Sequence, residues 1–214
     1  LERLRSQRAI ERWALFGGSW GSTLALAYAE SFPERTTGLV LRGIFLASAD
    51  EIDWFMHGMG RFFPEAHERF ATFLPPDERV DPDPSVHGPA AAAWDAYESD
   101  CSTLLPRASG PPAFENDAVA LAIARIEAHY FVHNGFLADG ERLGNVHRIE
   151  HLPCTIVQGR YDVVCPPVTA HALARAWPSA ELVMVPDAGH SVREPGIARA
   201  LVTAVERLKT RLSP

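Results

Sequence analysis

A serine set among glycines near the start of the chain is the first group that could perform covalent chemistry. Gly17-Gly18-Ser19-Trp20-Gly21 fits G-x-S-x-G, a pattern that holds a nucleophilic serine on a strained turn between a strand and a helix. The apolar run from Trp13 to Phe16 predicts the strand, and residues 23–30 predict the helix. We expect side chains in place of the flanking glycines to strike the adjacent strand and helix. An ordinary Gly/Ser turn is the alternative, whereas nucleotide-phosphate loop patterns are absent.

An aspartate and a histidine follow two later strands, in the chain order Ser, Asp, His that such a nucleophile requires. Asp162 comes shortly after the apolar run 154–159, and His190 shortly after the run 182–185. In this triad Ser19 is the nucleophile, His190 the general base and later the acid, and Asp162 orients and stabilises the imidazolium. Either loop residue alone could be a turn or capping residue. Three such residues in order, each just past a strand, favour the triad.

Two pairs of histidines have a spacing that could bind a metal ion. His129 and His133 lie one helical turn apart, as do His147 and His151, but neither pair has the carboxylate of H-E-x-x-H. We interpret all four as surface or core histidines, and we predict no metal and no cofactor.

The elements that must position the triad belong to the α/β class. Four runs that are apolar on both faces, at 13–16, 38–43, 154–159 and 182–185, alternate with helical segments such as 168–176, which predicts a mostly parallel sheet. Residues 47–147 contain no buried-strand pattern, only helical segments rich in Phe, Trp and Ala. The predicted domains are therefore a core of residues 1–46 and 148–214 and an inserted helical cap domain, 47–147.

Prolines interrupt the predicted cap. Breaks are expected at Pro75-Pro76, at Asp81-Pro82-Asp83-Pro84 and at Pro111-Pro112. We predict a surface loop over residues 74–89.

Composition narrows the function classes. The 214 residues are 47% hydrophobic and contain no run long enough to cross a bilayer, so disorder and a membrane partner are disfavoured. With 20 Lys and Arg against 27 Asp and Glu, the net charge of −7 disfavours nucleic acid and favours a cationic ligand. Cys101, Cys154 and Cys165 show no C-x-x-C spacing and are interpreted as reduced thiols of a cytoplasmic protein. The oligomeric state is left open.

With these residues identified, the sequence resembles the proline iminopeptidases (prolyl aminopeptidases), which are α/β-hydrolase peptidases. The likeness covers nearly the whole chain, and the matching segments are Gly17 to Tyr28, Leu41-Arg42-Gly43-Ile44-Phe45-Leu46, Ala124 to Phe131, Gly159 to Pro166 and Ala188-Gly189-His190-Ser191. The resemblance implies an α/β-hydrolase fold with a helical cap. It also implies a serine exopeptidase that releases N-terminal proline from small peptides through a prolyl-enzyme ester.

The resemblance further implies that two cap glutamates, Glu127 and Glu98, bind the free amino terminus of the substrate. On a helix over 118–132, Glu127 lies about 200° around from Arg125, among apolar neighbours. A carboxylate buried there requires a cationic or hydrogen-bonding partner, although a solvated face is the default for a helical glutamate.

The residues around the proline ring are implied in the same way. Trp20, Phe45, Phe131 and Cys165 match the proline pocket, with core packing as the alternative for each aromatic residue. Cys165 is expected to confer sensitivity to thiol reagents. The backbone N–H of Trp20 is expected to be one oxyanion donor.

The sequence departs from the family at Tyr97, where the family has a Trp before the second glutamate, and more importantly in a segment before Ser19. It has no HGGPG-type segment before Ser19 to supply a second oxyanion donor, so we expect an N-terminally truncated chain, short by on the order of 90 residues. The missing strands would leave an exposed sheet edge and an uncovered apolar face. Loss of one donor typically lowers the rate by about 10²–10³, so weak activity or instability is expected.

Two other functional hypotheses remain open at this point. One is another α/β-hydrolase activity, such as that of an esterase or of an aminopeptidase with broader specificity. The other is a non-catalytic ligand-binding relative or an inactive fragment.

Overall fold

A computed structural model of the chain describes residues 1–75, 84–105 and 117–212. The strands in these ranges are β1 Trp13–Ser19, β2 Thr36–Ile44, β3 Cys154–Gly159 and β4 Glu181–Val185. The α-helices are α1 Glu2–Gln7, α2 Trp20–Ser31, α3 Ala49–Met56, α4 Pro64–Ala71, α5 Pro84–Cys101, α6 Asp117–Val132, α7 Glu141–Gly144, α8 Pro167–Ala176 and α9 Pro195–Leu212. Short 3-10 helices lie at Pro33–Arg35, Gly58–Arg61, Asn134–Phe136 and Val146–Arg148.

The four strands form one parallel sheet in the order β1-β2-β3-β4. This confirms the predicted α/β class, and all four predicted strands are present. Because the strands are parallel, their carboxyl ends meet at one edge of the sheet. Ser19 ends β1 there, paired with Ile44 at the end of β2. The loops that follow β3 and β4 carry Asp162 and His190 to the same edge.

Alternation along the strands divides the core into two layers. On β2, Leu39 and Leu41 pack into a cluster with α2 and α8, and Val40 packs with α9 on the opposite face. All three side chains are at most 1% exposed. The uninterrupted apolar run of β2 follows from this burial on both faces.

Strand β1 lies at an edge of the sheet. Among the described residues it pairs with β2 alone, and Phe16 on it is 60% exposed. In these ranges this side of the sheet therefore presents an unpaired strand edge and an exposed aromatic side chain.

Every element that the structure describes between residues 47 and 147 is helical. We call these residues the cap region; the division into a core and a cap domain stays a prediction. Phe55, Met59 and Tyr97 are buried in this region, and they join a cluster with Phe45 and Cys165. The cap region thus packs directly onto the loops at the carboxyl edge of the sheet.

The predicted loop over 74–89 is wrong for its second part. Helix α5 begins at Pro84 and continues through Pro89. Proline is favourable at the first helical position, and an alanine run follows Pro89, so the lost hydrogen bond is outweighed by helix propensity. The predicted breaks at Pro76, at 81–83 and at Pro111-Pro112 lie outside the described residues.

Within the described part of the chain, the structure contains no helix that is both long and apolar enough to span a membrane.

Candidate active site

Ser19 lies on a strained turn between β1 and α2. Its backbone has φ 56° and ψ −127°, a conformation that non-glycine residues rarely adopt. A side chain at Gly17 would overlap the backbone carbonyl of Gly21, so the close approach of strand and helix requires glycine there. The same expectation is wrong for Gly21, because a Cβ added to it would meet nothing within 4 Å among the described residues.

The structure joins His190 and Asp162 directly. The Nδ1 atom of His190 lies 2.9 Å from Oδ2 and 3.1 Å from Oδ1 of Asp162, and both side chains are buried. With Nδ1 held by the carboxylate, Nε2 is left to act as the base. An aspartate in this position favours the imidazolium that forms during proton transfer.

Ser19 reaches the same group of residues through Cys165. Its Oγ atom lies 3.9 Å from the Cys165 thiol, and the backbone N–H of Cys165 donates to Asp162 Oδ1 at 2.8 Å. In the described residues no hydrogen bond joins Ser19 to His190. Catalytic hydrogen bonds are often long without substrate and tighten when it binds.

A buried glutamine completes the surroundings of Asp162. Gln158 is fully buried at the end of β3, and its amide donates to Asp162 Oδ2 at 3.1 Å and to the Cys165 carbonyl at 2.9 Å. Its side-chain oxygen accepts from the Ile44 N–H at 3.2 Å. Gln158 was not predicted as a site residue, although an amide side chain at the end of a buried strand indicates a specific hydrogen-bonding role.

The backbone N–H predicted to be an oxyanion donor belongs to the first residue of α2. This helix begins at Trp20, directly after Ser19, so the Trp20 N–H is one of the first-turn groups that have no partner within the helix. It is at the positive end of the helix dipole, an environment that can stabilise a developing oxyanion.

One pocket contains Ser19 and all the side chains that the sequence placed around the substrate. It is lined by Ser19, Trp20, Phe45, Phe55, Glu98, Ile126, Glu127, Tyr130, Phe131, Val164 and Cys165. Its aromatic side chains pack against one another: the ring centroids of Trp20 and Tyr130 are 4.4 Å apart, and those of Phe45 and Phe131 are 6.0 Å apart. The pocket is therefore largely aromatic and apolar, and its two carboxyl groups are those of Glu98 and Glu127.

The two glutamates come from different helices. Glu98 lies on α5 and Glu127 on α6, and each is half-buried. The indole N–H of Trp94, one turn before Glu98, donates to Glu127 Oε2 at 2.8 Å. Helix α6 has the predicted orientation: Arg125 and His129, which share one face, are exposed, and Glu127 on the other side is half-buried. Trp94 was not predicted as a site residue, although its position four residues before Glu98 indicates a shared face.

Burial raises the pKa of both glutamates. The pKa of Glu127 is raised to about 8, first by burial and then by the nearby charge of Glu98, whereas the Trp94 hydrogen bond opposes the shift. Burial also raises the pKa of Glu98, and the nearby side chains of His190 and Arg42 oppose that shift. The apolar surroundings disfavour the ionised form of each carboxyl group. A bound ammonium group would favour that form.

Cys165 lines this pocket but is poorly suited to react with thiol reagents. It is 3% exposed, and burial raises the pKa of its thiol well above the usual range. Since the thiolate is the reactive form, we now expect slow modification. All three cysteines are buried and free.

The four histidines considered as metal ligands are exposed: His129, His133, His147 and His151. The side chains of His133 and His147 are turned toward nearby backbone carbonyls, of His129 and Gly144 respectively. In the part of the chain that the structure describes, no group of His, Cys, Asp and Glu residues is arranged to hold a metal ion.

Comparison with known proteins gives concordant relatives. A family model described as alpha/beta hydrolase fold matches residues 1–195. The chain is 47% identical to the "Probable proline iminopeptidase" of Leptolyngbya boryana, covering 97% of this chain and 68% of that protein. It is 48% identical to the proline iminopeptidase of Arabidopsis thaliana, over 98% of this chain and 59% of that protein.

A solved structure shares the fold. The α/β hydrolase MGS-M2, from a Medee basin deep-sea metagenome library, aligns over all of this chain and 70% of its own length, with a TM-score of 0.59 and 15% identity. At this identity the likeness concerns the fold alone.

Proposed function

Because this chain belongs to the proline iminopeptidases, a group within the α/β-hydrolase fold family, we propose that it is a serine exopeptidase that releases N-terminal proline from small peptides. The observation that carries the proposal is the pocket that Ser19 shares with Glu98 and Glu127. A nucleophile beside two half-buried carboxyl groups suits a substrate whose cationic amine lies close to the scissile carbonyl.

The carboxyl groups select a free N-terminus. The protonated secondary amine of an N-terminal proline would pair with Glu127 and Glu98 and would favour their ionised forms, which burial disfavours. An acylated N-terminus has no charge and would leave both groups unpaired in an apolar pocket. The pyrrolidine ring would pack against Trp20, Phe45 and Phe131.

In the first half-reaction, Ser19 Oγ attacks the prolyl carbonyl and its proton passes to His190 Nε2. The oxyanion that forms accepts from the Trp20 N–H, and Asp162 stabilises the imidazolium. The C–N bond then breaks, and His190 protonates the leaving amine. The product that stays bound is a prolyl ester of Ser19.

In the second half-reaction, His190 takes a proton from water while the water oxygen attacks the ester carbonyl. The bond to Ser19 Oγ breaks, and His190 returns the proton to the serine. Free proline then leaves the pocket.

The test compares L-proline 4-nitroanilide with its N-acetyl derivative on the same protein. We expect turnover of the free-amine substrate and loss of at least about two orders of magnitude with the acetylated one, since charged hydrogen bonds to both glutamates are lost. Equal turnover of the two would refute the amine anchor.

Two further measurements separate the alternative functions. Glu127→Gln should lower hydrolysis of the prolyl anilide while sparing 4-nitrophenyl acetate; an esterase would lose neither. Labelling of Ser19 by a fluorophosphonate, absent in Ser19→Ala, distinguishes an enzyme from a non-catalytic binding protein.

We also propose a cytoplasmic location. It is supported by the three buried free thiols, a pattern typical of a reducing compartment.

A further inference from the structure

The loop that carries His190 is bonded to the end of a cap-region helix. The backbone N–H groups of His190 and Ser191 both donate to the Ser102 carbonyl, at 2.9 and 2.8 Å. Ser102 directly follows α5, the helix that carries Glu98. The catalytic base and one amine-binding carboxylate are therefore attached to two segments that contact each other directly.

One side chain ties these two segments together. Glu194 Oε2 accepts from the Gly189 N–H at 2.6 Å, and Glu194 Oε1 accepts from the Leu104 N–H at 2.7 Å. Each is a charge-assisted bond to a backbone group, a class that is short and comparatively strong. We call the segments 102–104 and 189–191 the junction; Glu194 bridges its two sides.

The junction is also tightly packed. A Cβ added to Gly189 would lie 3.1 Å from the Leu104 nitrogen and 3.3 Å from the Ser102 carbonyl oxygen. On the helix side, the Ser102 hydroxyl donates to the Glu98 carbonyl at 2.8 Å. A short series of direct contacts thus runs from Glu194 to the backbone of Glu98.

We propose that Glu194 is a positioning residue that keeps the amine-binding Glu98 in register with His190, an inference that rests on the proposed function. An exopeptidase must hold the substrate amine and the scissile carbonyl at fixed places relative to anchor and base. A displacement of about 1 Å can lower the rate by about 10². Glu194 acts through the junction and does not contact substrate.

A purely structural role makes a different prediction. Glu194 directly precedes α9, where an acidic residue stabilises the helix N-terminus. If that were its whole function, its loss would lower the melting temperature and affect all substrates alike. Positioning instead affects substrates that use Glu98 more than substrates that do not.

The experiment measures kcat/KM of Glu194→Gln on L-proline 4-nitroanilide and on 4-nitrophenyl acetate, below the melting temperature. An amide can accept at one oxygen only, so one junction bond is lost. We expect the anilide to lose at least about tenfold and the ester less than about threefold. Glu150→Gln, which removes an exposed carboxylate with the same charge change, should alter neither. Equal losses on both substrates, or no loss, would overturn the proposal.

A double-mutant cycle tests the route through Glu98. In a Glu98→Gln background, Glu194→Gln should cost the anilide no more than it costs the ester, because the anchor to be positioned is already lost. Independent, multiplicative losses would contradict the proposal. Gly189→Ala pushes the two sides of the junction apart without changing a charge. It should also lower kcat/KM for the anilide more than for the ester, so the proposal can be tested even if the Glu194 variant does not fold.

Hydrogen exchange separates failure of this proposal from failure of the proposed function. If the unmodified chain does not hydrolyse the anilide, the function itself fails. The junction is then judged by the backbone amides of Leu104, Gly189, His190 and Ser191. We expect all four to exchange faster together in Glu194→Gln. Unchanged exchange at His190 and Ser191 would show that Glu194 does not hold the junction.

Discussion

Substrate recognition should depend on pH through Glu127. Its pKa is raised from the ordinary 4.5 to about 8, so the carboxyl group is protonated and unable to pair with an ammonium below that pH. About 1% is ionised at pH 6 and about 50% at pH 8, whereas an α-amino group with a pKa of about 8 loses its proton above that value. Binding therefore gains as pH rises toward 8 and is lost again beyond it.

The magnitude follows from the product of the two fractions. That product is about 0.01 at pH 6 and about 0.25 at pH 8, a rise of about 25-fold. The quantity to measure is kcat/KM for L-proline 4-nitroanilide divided by kcat/KM for 4-nitrophenyl acetate. Since both substrates use His190, its own titration cancels in this ratio, and kcat/KM reports groups of the free enzyme.

Replacing Glu127 provides the control. Glu127→Gln should lower the ratio at pH 8 by about one to two orders of magnitude, because one charged contact to the amine is lost. It should also flatten the rise between pH 6 and 8. A ratio that is constant over this range in the unmodified protein, or an unchanged rise in Glu127→Gln, would refute the assignment of Glu127 as the titrating anchor.

Three further predictions concern the surroundings of the site. Trp94→Phe removes the indole donor to Glu127, so the pKa of that carboxyl should rise further and the optimum of the substrate ratio should move to higher pH by about half a unit or more; an unmoved optimum would count against the bond. Gly17→Ala should prevent folding while Gly21→Ala changes the melting temperature by no more than a few degrees, on the order of 0.5 kcal/mol, as judged by thermal unfolding. Gln158→Leu should lower kcat/KM for the anilide and the ester by the same factor, about tenfold, since it loosens the triad acid and not the amine anchor; a selective loss on the anilide would contradict this.

Much of the candidate site is encoded locally. Ser19 is recognisable because a strand, a glycine turn and a helix follow one another within a few residues, and that order alone produces the strained backbone. Asp162 and His190 could be found because parallel strands bring their following loops to one edge. The buried side of α6 at Glu127 follows from helical periodicity.

Other features depend on segments that are remote in the chain. The closeness of Glu98 and Glu127 is set by how α5 packs on α6, and neither helix pattern specifies its partner. The open space around Gly21 could not be predicted either, because a sequence motif does not show which side chains pack around each of its residues. Local propensity likewise failed at Pro89, which continues a helix where a loop was expected.

The sequence by itself therefore predicted that Ser19, Asp162 and His190 follow three strands and meet at one edge of the sheet, and that Glu127 lies on the buried side of its helix. These depend on patterns with periods of two or of 3.6 residues and on turn residues, all of which act over a few positions. Only the tertiary structure decided that Trp94 donates to Glu127, that Gln158 holds Asp162 and that Glu194 joins the His190 loop to the end of α5. The bonds from Trp94 to Glu127 and from Leu104 to Glu194 join groups far apart in sequence, so their partners meet only after the helices and strands have packed. Gln158 lies only four residues before Asp162, but local patterns do not show which way the loop between them turns.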